Sequence, residues 1–144
     1  MARVLLITNP AAARTQAQSV HTVVNVMRSA GWAVEVVATG GPGDARRLAA
    51  QGVLDGMELV AVFGGDGTTM QAAGALVGTD VQLGLIPGGT GNLLAGNLRV
   101  PTSPARAAET LLAGQVRRLD LGRMEREDGI HYFAVACGAG YDAR

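Results

Sequence analysis

The sequence predicts an α/β fold. A mainly parallel sheet carries helices on both faces in a three-layer αβα arrangement, and an antiparallel hairpin after it looks like the start of a different layer or domain. Three observations lead there. Apolar strand-like runs alternate with helix-like segments as far as Ile86. Two of those runs, Leu59–Phe63 and Val81–Ile86, lead directly into glycine-rich loops, Gly64-Gly65-Asp66-Gly67-Thr68 and Pro87-Gly88-Gly89-Thr90-Gly91-Asn92, the layout of a phosphate-binding edge on a parallel sheet. Beyond the second loop, two strand-like runs, Val116–Arg126 and Ile130–Cys137, are joined by Glu127-Asp128-Gly129 and read as a hairpin.

Element by element, Val4–Thr8 is a short buried strand broken by Asn9-Pro10. Residues Thr15–Ala30 read as a helix with Val20, Val23, Val24 and Met27 on one face, stopped by Gly31. Ala33–Ala38 is the second strand. Gly40-Gly41-Pro42-Gly43 is a turn, and Asp44–Gln51 is a helix capped by Asp44. Leu59–Phe63 is the third strand, Thr68–Val77 the third helix and Val81–Ile86 the fourth strand. Leu93–Asn97 is a short helical turn, and Pro104–Ala113 is a helix with proline near its start and Gly114 just past its end. The change of rhythm divides the chain into residues 1–115 and 116–144.

Composition narrows the function classes. The 144 residues are 48% hydrophobic and 17% charged, enough for one compact domain with a real core. A net charge of +0 gives no bulk attraction to nucleic acid or to acidic membrane. Every cationic residue is Arg, so a cation on a bound nucleotide must be Arg or a metal ion. The single cysteine, Cys137, excludes an intrachain disulfide, fits a reducing compartment and reads as a small core residue. Met1–Thr8 has too short an apolar core for a signal peptide, and no apolar run approaches a membrane span, so the chain reads as soluble and cytoplasmic.

The loops carry the chemistry. Glycines at 64, 65 and 67 permit positive φ and close approach of a ligand, and the N–H groups opening the next helix favour an anion. Asp66 is the odd member, because a carboxylate repels a phosphate. Either a divalent cation lies between them, as Mg²⁺ does when held by one or two carboxylates and phosphate oxygens, or Asp66 turns away to cap the helix. Thr68 and Thr69 offer hydroxyls to phosphate or to a cap. In the second loop Pro87 stiffens the strand exit, Gly88, Gly89 and Gly91 strip the turn of side chains, Thr90 supplies the hydroxyl, and Asn92 caps the turn at Leu93. Each loop alone could be a plain turn; two at equivalent positions after neighbouring strands point to one polyphosphate site. There is no Gly-Lys-Ser/Thr phosphate loop, and Gly138-x-Gly140-x-x-Ala143, which matches the relaxed dinucleotide pattern, is not expected to serve as one without a helix after it.

Asn9-Pro10, the two glycine loops, Asp120-Leu121-Gly122 and Gly140-Tyr141-Asp142-Ala143 occur in an order and spacing that resembles the diacylglycerol kinase catalytic-domain family, which includes bacterial lipid kinases, sphingosine kinases and ceramide kinases. The resemblance covers nearly the whole chain. It implies an ATP- and Mg²⁺-binding α/β domain over residues 1–115, with residues 116–144 starting a C-terminal β-sandwich that carries the lipid pocket and the general base. It places Asn9, Thr39, Gly65, Asp66, Gly67, Thr68, Gln71, Gly89, Thr90 and Asn92 at the nucleotide, with Asp66 toward the metal; Asp120 and Asp142 match motif positions without an assigned role. The chain departs from the family at Ala12-Ala13-Arg14, where Ser-Gly is common, at Thr69-Met70-Gln71, where Leu-Asn-Glu is common, and at Gly96, where Arg is usual. The resemblance implies that the general base lies beyond Arg144, so the chain is expected to be a fragment or truncated product, inactive alone. Its partners are then ATP and, in the full-length protein, a lipid acceptor with peripheral membrane contact. An NAD kinase-like enzyme, which would share the first loop but not the second, and a non-catalytic nucleotide-binding or regulatory module stay open as alternatives.

Overall fold

The computed structural model of the chain describes residues 2–12, 15–89, 95–96, 98–113, 122–126 and 129–133, the last two stretches by their backbone alone. Four parallel strands, β1 (Arg3–Thr8), β2 (Ala33–Ala38), β3 (Leu59–Gly64) and β4 (Gln82–Pro87), form one sheet in the order β2-β1-β3-β4. The central strands are dominated by apolar residues because both of their faces are covered: all six residues of β3 are buried, and five of six in β1. At the edge, β2 has no buried residue.

Among the described residues, four helices cover the sheet: α1 (Ala17–Ser29), α2 (Asp44–Leu54), α3 (Asp66–Leu76) and α4 (Pro104–Ala113). Alternation along the strands sorts the core in two. Val4, Leu6, Ala61, Phe63 and Ile86 face Val23, Val24 and Met27 of α1 and Ala107 and Ala108 of α4. Leu5, Ile7, Val60 and Val62 face Ala45 and Ala49 of α2 and Ala72 and Leu76 of α3. The three-layer αβα expectation holds. Both α1 and α2 end on a left-handed glycine. Gly31 has φ +88 and Gly56 has φ +78, and each donates to the carbonyl three residues back (Gly31 to Arg28, 3.0 Å; Gly56 to Val53, 3.2 Å).

Three helix starts differ from the sequence expectation. α1 begins at Ala17, because Thr15 stays in the preceding loop with its hydroxyl directed to the carbonyls of Asn9 and Ala12. Asp44 is not the cap of α2. Gly43, at φ 83, takes that position; Asp44 is the first helical residue, and its Oδ2 accepts from the Gly40 N–H at 2.6 Å. α3 begins at Asp66 rather than Thr68, because Gly65 adopts the extended cap conformation and its carbonyl receives both the N–H (3.1 Å) and the hydroxyl (2.9 Å) of Thr69. Further along, β5 (Gly122–Arg126) and β6 (Gly129–Phe133) pair antiparallel, Arg126 opposite Gly129. The remainder of the two expected strand runs, the turn residues Glu127 and Asp128, and Cys137 lie outside the described residues.

Candidate functional site

The strand order reverses between β1 and β3. From β1 the chain crosses to β2 on one side, and from β3 it crosses to β4 on the other. The crossover helices α1 and α3 therefore lie on opposite faces, and the loops leaving β1 and β3 diverge at the carboxyl edge. Parallel register aligns the strand ends there: Thr8 stands opposite Ala38 and Phe63, and Gly64 opposite Pro87. Asn9, Thr39 and both glycine loops consequently leave the sheet at one edge.

Asn9 ties that edge together. Its N–H donates to the Phe63 carbonyl at 3.1 Å, joining the ends of β1 and β3. Its side-chain Oδ1 accepts from the Ala11 N–H at 3.0 Å and from the Thr39 hydroxyl at 3.4 Å. The backbone N–H can only donate, which fixes the amide orientation, so Nδ2 donates to Thr68 Oγ1 at 3.1 Å. Three residues assigned from the sequence, Asn9, Thr39 and Thr68, thus form one hydrogen-bonded group drawn from two loops and the first turn of α3. Thr68 accepts this bond, which leaves its own O–H as a donor.

The two glycine loops meet edge to edge. The Gly88 N–H donates to the Gly64 carbonyl at 2.9 Å, and Gly89 Cα lies 3.7 Å from the place a Cβ on Gly65 would occupy. The reason for glycine here differs from the sequence expectation. None of Gly64, Gly65, Gly67 and Gly88 has positive φ. What Gly64 and Gly88 provide is room. A Cβ on Gly64 would stand 3.3 Å from Thr68 Cβ, and one on Gly88 would stand 2.7 Å from Thr15 Cγ2. At Gly67 the corresponding direction is open, with no atom within 4 Å, so the first turn of α3 is accessible.

The head of α3 carries no side-chain cap, because its cap residue Gly65 has no side chain. Partial positive charge collects there. Asp66 occupies the first helical position and is partly buried. Thr69 is turned inward, 6% exposed, with its hydroxyl on the Gly65 carbonyl, so it serves the cap rather than a ligand. Gln71 lies one turn along α3 from Thr68 and is partly buried. A small pocket of about 10 Å³, room for about one water, runs under the loops between Gly64, Gly65, Asp66, Thr69, Pro87 and Ala95. Among the described residues no three His, Cys, Asp or Glu side chains converge as a protein-only metal site. The donor set instead suits an ion that takes one carboxylate, Asp66, with phosphate oxygens and water, which is how Mg²⁺ binds.

Thr90 and Asn92, and with them Gly91, Asp120 and Asp142, lie outside the described residues. Sequence reasoning missed Thr15, buried between the Asn9 turn and Gly88. Its position at a helix-like boundary gave no signal of that contact. No helix among the described residues is long and apolar enough to cross a membrane.

Residues 3–124 match the family described as the diacylglycerol kinase catalytic domain. A protein named diacylglycerol kinase from Mycobacterium tuberculosis is 35% identical over 144 residues, 98% of this chain and 47% of the relative. A probable lipid kinase, YegS-like, from Xanthomonas campestris is 32% identical over 88% of this chain and 43% of its own length. Among solved structures, a diacylglycerol kinase from Bacillus anthracis superposes with a TM-score of 0.73 at 30% identity, covering 83% of this chain and 42% of that one. The chain spans about half the length of the curated relatives it matches.

Proposed function

The chain belongs to the diacylglycerol kinase catalytic-domain family, and we propose that it is the ATP-binding part of a lipid kinase, in which the γ-phosphoryl group of ATP passes to a diacylglycerol-like lipid hydroxyl. The observation that carries this reading is the meeting of two glycine loops, through the Gly88 N–H and the Gly64 carbonyl, at the point where the strand order reverses. A polyphosphate entering there meets the N–H groups of Gly67 and Thr68 and the hydroxyl of Thr68, with Asn9 and Thr39 holding the surrounding loops in place. Gly89, Thr90 and Asn92 would line the same phosphates from the second loop, and Gln71 would border them from α3.

Asp66 is the residue to hold Mg²⁺ through its carboxylate or a coordinated water. When bound, that ion supplies neutralisation of charge on the phosphate oxygens. In the transfer itself the bond from the γ-phosphorus to the β,γ-bridging oxygen breaks, ADP leaves, and a new bond forms to the lipid oxygen. The hydroxyl proton goes to a general base. We assign that base and the lipid pocket to a β-rich second domain of the complete protein, of which residues 116–144 would be the beginning. Residues 1–115 would supply positioning and electrostatics. The complete protein would work from the cytoplasm, reaching its lipid by peripheral contact.

Calorimetry of the chain with MgATP tests the reading, beside a diacylglycerol kinase assay. The expected result is weak MgATP binding without turnover. Absence of MgATP binding would overturn the nucleotide site, and robust phosphorylation by this chain alone would overturn the division of labour between domains.

A further inference from the structure

We propose that Thr15 is a positioning residue for the phosphate loops: its hydroxyl fixes the turn after β1, and its methyl group sets the spacing at which the second glycine loop seats against the first. This deepens the functional reading above and rests on it. Thr15 is 8% exposed. Its Oγ1 donates toward the Asn9 carbonyl and lies 3.1 Å from the Ala12 carbonyl. Those two groups bracket the turn closed by the Ala12 N–H on the Asn9 carbonyl at 3.0 Å, the turn that delivers the Asn9 side chain to Thr68.

The other branch of the same side chain faces Gly88. A Cβ there would stand 2.7 Å from Thr15 Cγ2, 3.0 Å from Phe63 Cδ1 and 3.1 Å from Gly64 Cα. The start of the second loop is thus packed between Thr15, Phe63 and the backbone of the first loop, while its N–H is bonded to Gly64. Serine would keep the hydroxyl and lose the methyl; valine would keep a methyl and lose the hydroxyl. Threonine does both. A buried hydroxyl already engaged by its own loop is not offered to a ligand, so Thr15 acts through the loops. Those loops meet phosphates, not the base, and any loss on substitution should grow with the number of phosphates.

Thr15→Ser and Thr15→Val are made in the 144-residue chain, and dissociation constants for MgATP, MgADP and AMP are measured beside melting curves. Thr15→Ser is expected to weaken MgATP about tenfold, MgADP about threefold and AMP hardly at all, the graded loss of a positioning contact. Thr15→Val is expected to show the same order with a lower melting temperature. Gly88→Ala should damage MgATP binding less in the Thr15→Ser background than in the parent, because the nearest of the three atoms its Cβ would strike is gone. Equal loss for all three ligands, or none in Thr15→Ser, overturns the inference while leaving the nucleotide site intact. Failure of the parent chain to bind MgATP overturns the functional reading and this inference with it.

Discussion

Substituting Asn9 separates its role in the fold from its proposed place beside the phosphates. The side chain makes three hydrogen bonds, at 3.0 Å to the Ala11 N–H, 3.1 Å to Thr68 and 3.4 Å to Thr39. At roughly 0.5–1.5 kcal/mol each, with the longest near the bottom of that range, Asn9→Ala should cost about 2–3 kcal/mol. At about 3 °C per kcal/mol for a chain of this size, the melting temperature should fall by roughly 6–9 °C. MgATP binding should fall with it, which by itself decides little.

Asn9→Asp is the sharper variant. A carboxylate keeps both accepted bonds and replaces the Nδ2 contact by accepting from the Thr68 hydroxyl, so the stability cost should stay near about 1 kcal/mol or below. Binding should suffer more. A new negative charge on the order of 6 Å from a phosphate charge costs about 0.7 kcal/mol at bulk-water dielectric and about 3 kcal/mol at an effective value of 20. That is a rise in the MgATP dissociation constant of roughly 3-fold to 100-fold. The penalty should shrink at high salt, where exposed charges are screened. Melting curves and calorimetry at low and high ionic strength measure both quantities. If Asn9→Asp binds MgATP like the parent at low salt, the polyphosphate does not lie at the junction of β1 and β3, and the site argued here is misplaced.

Asp66→Asn should weaken MgATP binding much more than metal-free ATP binding, as titrations with and without EDTA would measure; equal loss in both would assign Asp66 to the head of α3 alone. Thr69→Val should cost about 1 kcal/mol of stability through the lost bond to the Gly65 carbonyl, while leaving the ratio of MgATP to AMP affinity unchanged. A collapse of that ratio would return Thr69 to the ligand.

Much of the fold was legible because the signals were local. β1 and β3 hold unbroken apolar runs, Val4–Ile7 and Leu59–Phe63, followed closely by Asn-Pro and Gly-Gly, and the stripe of Val23, Val24 and Met27 on α1 faces the core as its spacing required. The errors came where backbone angle or tertiary contact decides. Asp44 has the chemistry of a cap, yet Gly43 reaches the left-handed conformation that starts α2, and the Asp44 carboxylate reaches back to Gly40 instead. Glycines at 64, 65 and 67 looked like candidates for positive φ. The structure uses Gly64 for close approach, against Thr68 and the sequence-distant Asn9, while Gly67 faces open space. Thr15 was illegible for the same reason: its partner Gly88 belongs to another loop, and no pattern within the segment announces it.

The site as a whole depends on a property that no local signal carries, the order of the strands. Had β1 to β4 been laid side by side in chain order, β2 would separate β1 from β3. The ends of β1 and β3 would then stand about 10 Å apart, two strand spacings. Asn9 could not donate its N–H to Phe63 or its side chain to Thr68. In the observed order β2-β1-β3-β4 the chain passes from β2 back across β1 before laying down β3. That single crossover places Asn9 between Thr39 on one side and Thr68 on the other, bonded to both. It also sends α1 and α3 to opposite faces, which opens the crevice above that junction. The sequence motifs supply the glycine loops; the crossover brings three separated segments to one junction.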